Sequence, residues 1–149
     1  MLEVRAIDPM SEEGKSLFKR LSQEQIDRYG RDGGLPLEAL AKPGVIFIAG
    51  FLDGKAAGCG AVVPLEAGVG ELSRIFVDIS ARRNGVGVAI MDELQKEAGA
   101  RYSRLVLETG VEQPESIGLY EKCGFSPIPC WGKSADNPKS RCYEKLLSR

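Results

Sequence analysis

Arg82, Arg83, Asn84, Gly85, Val86 and Gly87 place two guanidinium groups and two glycines just ahead of an apolar-periodic stretch. The glycines let the backbone curl tightly and approach a ligand without Cβ obstruction. At a helix start, free N–H groups and the positive end of the helix dipole form an anion site. The two arginines add bidentate phosphate donors. The chemistry implied is the holding of a diphosphate. Gly85 and Gly87 do not make a dinucleotide fingerprint, because Ile90 stands where the third glycine belongs. No Gly-Lys-Ser/Thr follows, so a Walker loop is absent as well.

The chain has no histidine. That removes the usual general base and rules out a Ser-His-Asp or Cys-His apparatus. Cys59, Cys123, Cys130 and Cys142 are scattered, with no Cys-x-x-Cys pair. A zinc site would need thiolates or carboxylates from distant positions, so no metal is expected. Reduced thiols in a cytoplasmic protein are the plain reading, with Cys123 and Cys142 packed rather than nucleophilic.

The elements that must position the glycine-basic segment follow from periodicity. Residues 2–7 alternate weakly and read as a strand. Residues 10–29 read as a helix with Leu17, Phe18 and Leu21 as its inner stripe, and Ile26 falls off that stripe, which predicts a break or bend before it. Residues 29–36 form a glycine-rich loop and 37–41 a short helical turn. A strong strand at 44–52 meets a return strand at 56–65 across Asp53-Gly54, a hairpin signal. A third strand follows at 71–77. The helix at about 86–98 carries Val86, Ile90 and Leu94 on one face, with Gly99 as its C-cap. Residues 104–108 read as a strand, Gln113-Pro114 opens another helix, and Gly124 stops it. Two last strands lie near 126–131 and 141–146. One α+β domain over 1–149 follows, a mixed, mostly antiparallel sheet of about seven strands flanked by helices.

Bulk properties agree with one globular domain. The chain has 149 residues, is 43% hydrophobic and 28% charged, and carries a formal net charge of −1. A wholly basic nucleic-acid-binding surface is excluded. No membrane-spanning apolar run and no signal-peptide pattern is seen.

The element order, together with Arg-x-x-Gly-x-Gly at 82–87, closely resembles the GNAT superfamily of acetyl-CoA-dependent N-acetyltransferases. The resemblance covers roughly residues 45–146. It includes the hairpin, Glu-Leu-x-Arg-x-Phe-Val at 71–77, the Leu107-Glu108-Thr109-Gly110 strand and Gln113-Pro114-Glu115-Ser116-Ile117. Tyr120-Glu121-Lys122-Cys123-Gly124-Phe125 is its second hallmark, correctly spaced after the first. Two departures stand out: Ile79 where many members have proline, and Gln113 where asparagine is common.

The resemblance implies acetyl-CoA as co-substrate and direct transfer to a primary amine, without a covalent enzyme intermediate. The strand holding Phe76 and Val77 would bulge and splay from its neighbour, leaving backbone groups that pair with the pantetheine arm. The N–H of Val77 would donate to the thioester carbonyl as that oxygen becomes anionic. Main-chain N–H groups of the segment Arg82, Arg83, Asn84, Gly85, Val86, Gly87 and Val88 would wrap the pyrophosphate. Gln113 and Ser116 open the following helix on the cofactor side. Tyr120, at i+4 from Ser116, is the candidate general acid for the departing thiolate. Glu71 is the first candidate for the base and Glu108 the second, either directly or through a water. Glu71 also reads as a plain strand-end carboxylate or a partner of Arg74. Arg74 reads equally as a site for a substrate carboxylate or as a structural ion pair, and Lys122 as a phosphate ligand or a solvated surface lysine. The loops at 28–30 and 131–140 would flank the acceptor pocket. A small-molecule amine is the expected acceptor. A non-catalytic acyl-CoA-binding module and a protein lysine or N-terminal acetyltransferase are the alternatives. Homodimers are common among relatives, with the C-terminal strand a reasonable place for contact.

Overall fold

Ser11 starts the first long helix, α1 (Glu12–Tyr29), by accepting from the Gly14 N–H at 3.2 Å. Gly30, at φ 81°, ends it and donates its N–H to the Ile26 carbonyl at 2.8 Å. Leu17 and Leu21 are buried as their spacing predicts. The predicted break before Ile26 does not occur. Ile26 lies on the outer side, 45% exposed, and an apolar residue facing water does not interrupt a helix. A single-turn helix, α2 (Leu37–Leu40), follows and buries Leu40.

This computed structural model describes residues 1–110 and 114–147. Its sheet has seven strands in the order β1-β2-β3-β4-β5-β7-β6. They are β1 (Leu2–Ala6), β2 (Ile46–Leu52), β3 (Lys55–Glu66), β4 (Val69–Val77), β5 (Arg104–Gly110), β6 (Ser126–Ile128) and β7 (Ser140–Leu146). All described pairings are antiparallel except β4 with β5. Helices α3 (Val86–Ala98) and α4 (Pro114–Lys122) complete the domain. The α+β reading and the sheet of about seven strands hold. No helix among the described residues is long and apolar enough to cross a membrane.

Two cores lie on opposite faces of the sheet. On one, Leu17, Leu21 and Leu40 pack on Phe47, Ala49, Cys59, Ala61 and Phe76. On the other, Val86, Ile90 and Leu94 of α3 pack on Ile48, Val62, Leu72, Leu105 and Leu107, with Tyr120, Phe125 and Tyr143 beside them. Small residues on β3 let both the helix and the next strand come close. A Cβ on Gly60 would sit 2.6 Å from the Ile75 Cδ1 and 2.8 Å from the Leu94 Cδ1. A Cβ on Gly58 would sit 2.5 Å from the Phe76 carbonyl oxygen, which is backbone and cannot swing aside.

Three further expectations need correction. Strand β4 begins at Val69, because Gly70 stays in the ladder opposite Leu105 and the turn falls at Gly68, φ 76°. Strand β6 ends at Ile128 rather than reaching Trp131, and residues 132–134 form a 3-10 turn. The cysteines are not all reduced: Cys130 and Cys142 form a disulfide, with Cα atoms 5.1 Å apart. Cys142 is therefore half of a cross-link, not a packed thiol. The cause is register, since Ile128 pairs with Cys142 and the chain just past β6 brings Cys130 alongside. Cys59 and Cys123 remain free.

Thiol titration of the unfolded, unreduced protein is expected to find the two free cysteines, rising to all four after reduction. Four before reduction would refute the cross-link. Gly58→Ala is expected to lower the free energy of unfolding by about 1–3 kcal/mol, since the added methyl overpacks a backbone contact. Wild-type stability of that variant in a denaturant titration would contradict the close approach of β3 and β4.

Candidate active site

Strands β4 and β5 pair only at their beginnings, Val69 to Glu71 against Arg104 to Val106. Beyond Glu71 no pairing joins them, and the middle of the sheet opens. On its other side β4 stays with β3, but with a shift of register. Between the pairs Ala61–Ser73 and Cys59–Phe76, two steps along β3 oppose three along β4. This is the expected β-bulge, and Arg74 carries it at φ 57°. A non-glycine residue in that left-handed region is strained by about 1–2 kcal/mol.

The bulge changes which peptide groups face outward. The N–H of Asp78 donates to the Ala57 carbonyl at 2.8 Å, so position 78 faces β3. The carbonyl of Val77 accepts from the Arg82 Nε at 3.2 Å and so faces away. Alternation along a strand then turns the N–H of Val77 to the same free edge. An uninterrupted ladder continued from Ser73 would have aimed Val77 at β3 instead.

The segment after β4 is built to end in bare N–H groups. Asp78 caps a 3-10 turn at Ile79–Ala81 by accepting from the Ser80 N–H and hydroxyl. Asn84 donates from Nδ2 to the carbonyls of Ala81 and Arg82 at 3.1 and 3.2 Å, fixing the loop from within. Arg83 and Gly85 both take positive φ, 69° and 79°. Gly85 is the N-cap of α3 and offers no side-chain cap. The first intrahelical bond runs from Ala89 to Gly85, leaving the N–H groups of Val86, Gly87 and Val88 without a helical acceptor.

These groups border a cleft of about 1070 Å³ between α1, the end of β4 and α4. Of the residues predicted for the cofactor, Phe76, Val77, Arg82, Arg83, Gly85, Val86, Gly87, Val88 and Ser116 line it. Asn84 supports the loop from behind. Gln113 lies outside the described residues. Ile79, in place of the common proline, is 74% exposed at the rim. Lys122 also lines the cleft, along the α4 face that carries Ser116 and Leu119.

Sequence reasoning missed how α1 closes this cleft. Arg82 pairs with Glu24 of α1, and Arg28 of α1 pairs with Glu115 of α4. Arg28 holds the Glu115 carboxyl below its usual range, chiefly through their hydrogen bond. The polar stripe on the outer side of α1 was the available signal, but it reads as an ordinary solvated face.

The candidate proton-transfer groups are placed differently from one another. Glu71 is half-buried at the last paired position before the strands part. Burial, and then the nearby charge of Glu108, push its carboxyl above the ordinary value. Glu108 accepts from the hydroxyl of Ser140, the first residue of β7, at 2.6 Å. Tyr120 is 7% exposed and packs with Phe125 and Tyr143, ring centroids 6.2 and 6.5 Å away. Its position on α4 adjoins the cleft-lining stripe, its ring packs into the core, and burial alone raises its phenol above the usual range. Arg74 is occupied: its guanidinium grips both oxygens of Asp32, at 2.8 and 2.5 Å, so the ion-pair reading holds.

An uncapped helix start, a basic loop and an open strand edge fit a long anionic ligand with a diphosphate and an amide-bearing arm. The profile of the acetyltransferase (GNAT) family matches residues 9–125. The chain belongs to the GNAT acetyltransferase family. It is 35% identical to an IAA acetyltransferase of Azospirillum brasilense over 93% of this chain and 94% of that protein. A crystal structure from Klebsiella pneumoniae, named as an acyl-CoA N-acyltransferase, superposes with a TM-score of 0.80 at 31% identity, covering 99% of each chain. An aminoglycoside 6'-N-acetyltransferase complexed with coenzyme A shares the fold, with a TM-score of 0.79 at 18% identity over 99% of this chain and 98% of that one. As a GNAT acetyltransferase, the chain is an acyltransferase.

The two acidic groups at the parting strands make a specific expectation. Because the fold favours the neutral form of Glu71, its carboxylate appears only as pH rises through the raised value. A carbon-13 NMR titration is expected to show Glu71 above an ordinary glutamate. In Glu108→Gln it should move down part of the way, since burial, the larger cause, remains. An ordinary Glu71 value in the wild type would refute the reading.

Proposed function

We propose that this GNAT enzyme moves acetyl from acetyl-CoA directly to the primary amine of a small molecule. The observation that carries the reading is the N–H of Val77 on the free edge of β4, beside the uncapped start of α3. A fixed donor aimed at that edge interacts more strongly with a developing oxyanion than with a neutral carbonyl, which is the requirement for catalysis. The Val86, Gly87 and Val88 N–H groups, with Arg83 at the rim, hold the diphosphate end and so set the thioester's reach along β4.

In this reading Glu71 takes the proton that the ammonium must lose before its nitrogen lone pair can attack the acyl carbon. Its raised basicity suits that task. As the new C–N bond forms, the C–S bond breaks and the electron pair leaves on sulfur. Tyr120 supplies the proton there, its phenol kept protonated by burial. The IAA of the Azospirillum relative's name and the aminoglycoside of the structural neighbour's support a small-molecule acceptor.

Free-thiol release from acetyl-CoA, measured against a panel of amines, tests the reading. Turnover is expected on one amine class, and Tyr120→Phe should reduce it by on the order of 10²-fold or more while acetyl-CoA still raises the melting temperature. Full turnover in that variant removes Tyr120 from the mechanism. No turnover on any amine, with the thermal shift retained, replaces the enzyme reading by an acyl-CoA-binding module or a protein acceptor.

A further inference from the structure

The strained residue of the β4 bulge is gripped from outside the strand. Arg74 is 6% exposed in its side chain and Asp32 14%. Asp32 belongs to the loop between α1 and α2, far from β4 in sequence. Its two carboxylate oxygens take the two terminal nitrogens of Arg74, a fork-to-fork geometry that fixes the plane of the guanidinium. The Phe18 ring lies 4.9 Å beneath the same group. The loop is laid tightly over it: a Cβ on Gly34 would sit 2.0 Å from the Arg74 Nη1. The Gly34 N–H donates in turn to Asp32 at 3.1 Å, so loop, carboxylate and guanidinium form one unit. On the strand side, the Arg74 carbonyl accepts from the Cys59 thiol at 3.6 Å.

This grip sits where the register of β4 changes. A left-handed conformation at a residue other than glycine persists only when its surroundings over-determine it. The bulge is what turns the N–H of Val77 to the open edge. We propose that Asp32 is a positioning residue for acetyl transfer: by clamping Arg74 it holds the β4 bulge in the register that presents the Val77 N–H to the thioester. The inference rests on the proposed acetyl transfer for its catalytic part, while the conformational part stands on the fold alone. It also assigns Arg74 a role away from the acceptor, because both of its terminal nitrogens are committed to Asp32.

Four variants separate the possibilities: Asp32→Asn, Asp32→Glu, Arg74→Ala and Arg74→Gly. Asp32→Asn removes the charge and half of the fork, and Arg74→Ala leaves a strained residue with no clamp. Both are expected to lower kcat on the order of 10-fold to 100-fold, up to the cost of a misplacement of about 1 Å and short of losing an oxyanion donor outright, with acetyl-CoA affinity by calorimetry unchanged. Arg74→Gly takes the left-handed conformation without strain, so it should recover a large share of the rate that Arg74→Ala loses. Asp32→Glu keeps the charge and should retain more rate than Asp32→Asn. In the cofactor-free protein, the amide NMR shift of Val77, three residues beyond Arg74, should move in Asp32→Asn and stay nearer wild type in Arg74→Gly.

Unchanged shifts and unchanged kcat in Asp32→Asn would overturn the proposal. So would an Arg74→Gly protein as slow as Arg74→Ala with a raised acceptor KM, since Arg74 would then touch the acceptor. If the wild type transfers no acetyl to any amine, the functional reading fails, and the shifts alone decide whether Asp32 holds the bulge.

Discussion

A sheet that opens in its middle has two backbone edges that must be satisfied by something other than each other. Here the opening lies between β4 and β5, which pair through Glu71 and Val106 and then part. Strands at the margin of a sheet can face water, but these edges lie inside the domain, between the two cores. The N–H of Val77 and the bare start of α3 face the same cleft, so one ligand running along it would meet both. The site is therefore less an addition to the fold than the place where the fold's own hydrogen bonding stops.

The elements around the opening are tied down from several sides. The bulge at Arg74 shifts the register of β4 against β3, and Val86 and Ile90 of α3 and Leu119 and Tyr120 of α4 pack into the core on one face of the sheet. Lys145 of β7 ties the far side together by donating to Gln95 of α3 and to the Cys123 carbonyl after α4. On the upper face, the loop carrying Asp32 presses on Arg74.

Much of this could be read from the residues. Val86, Ile90 and Leu94 announce α3 because helical periodicity is a local property, and Gly85 announces its start because a positive φ asks for glycine. The bulge was foreseen only through the family resemblance, and its location at Arg74 was not legible, since arginine carries no signal for a left-handed conformation. Nor was the partner of Arg74, which lies 42 residues away in sequence. The continuity of α1 through Ile26 and the disulfide of Cys130 with Cys142 fail for a related reason. Each depends on which way a side chain points or which strands become neighbours, and neither fact is written in local spacing. Tyr120 shows the limit most clearly. Its i+4 relation to Ser116 is correct along α4, yet nothing local announces that its ring packs against Phe125 and Tyr143.

Three of the four arginines that border the cleft bring their own counter-ions. Arg82 holds Glu24, Arg28 holds Glu115, and Arg20 lies 3.4 Å from Asp78. The cleft is consequently close to neutral as a whole, and it projects little long-range attraction toward free anions in solution. A phosphate oxygen that engages Arg82 or Arg28 must exchange with a carboxylate, whereas the bare N–H groups at the start of α3 have none to release. Such an exchange favours a ligand whose charges arrive together at a matching spacing, and discriminates against simple anions that can displace only one partner at a time.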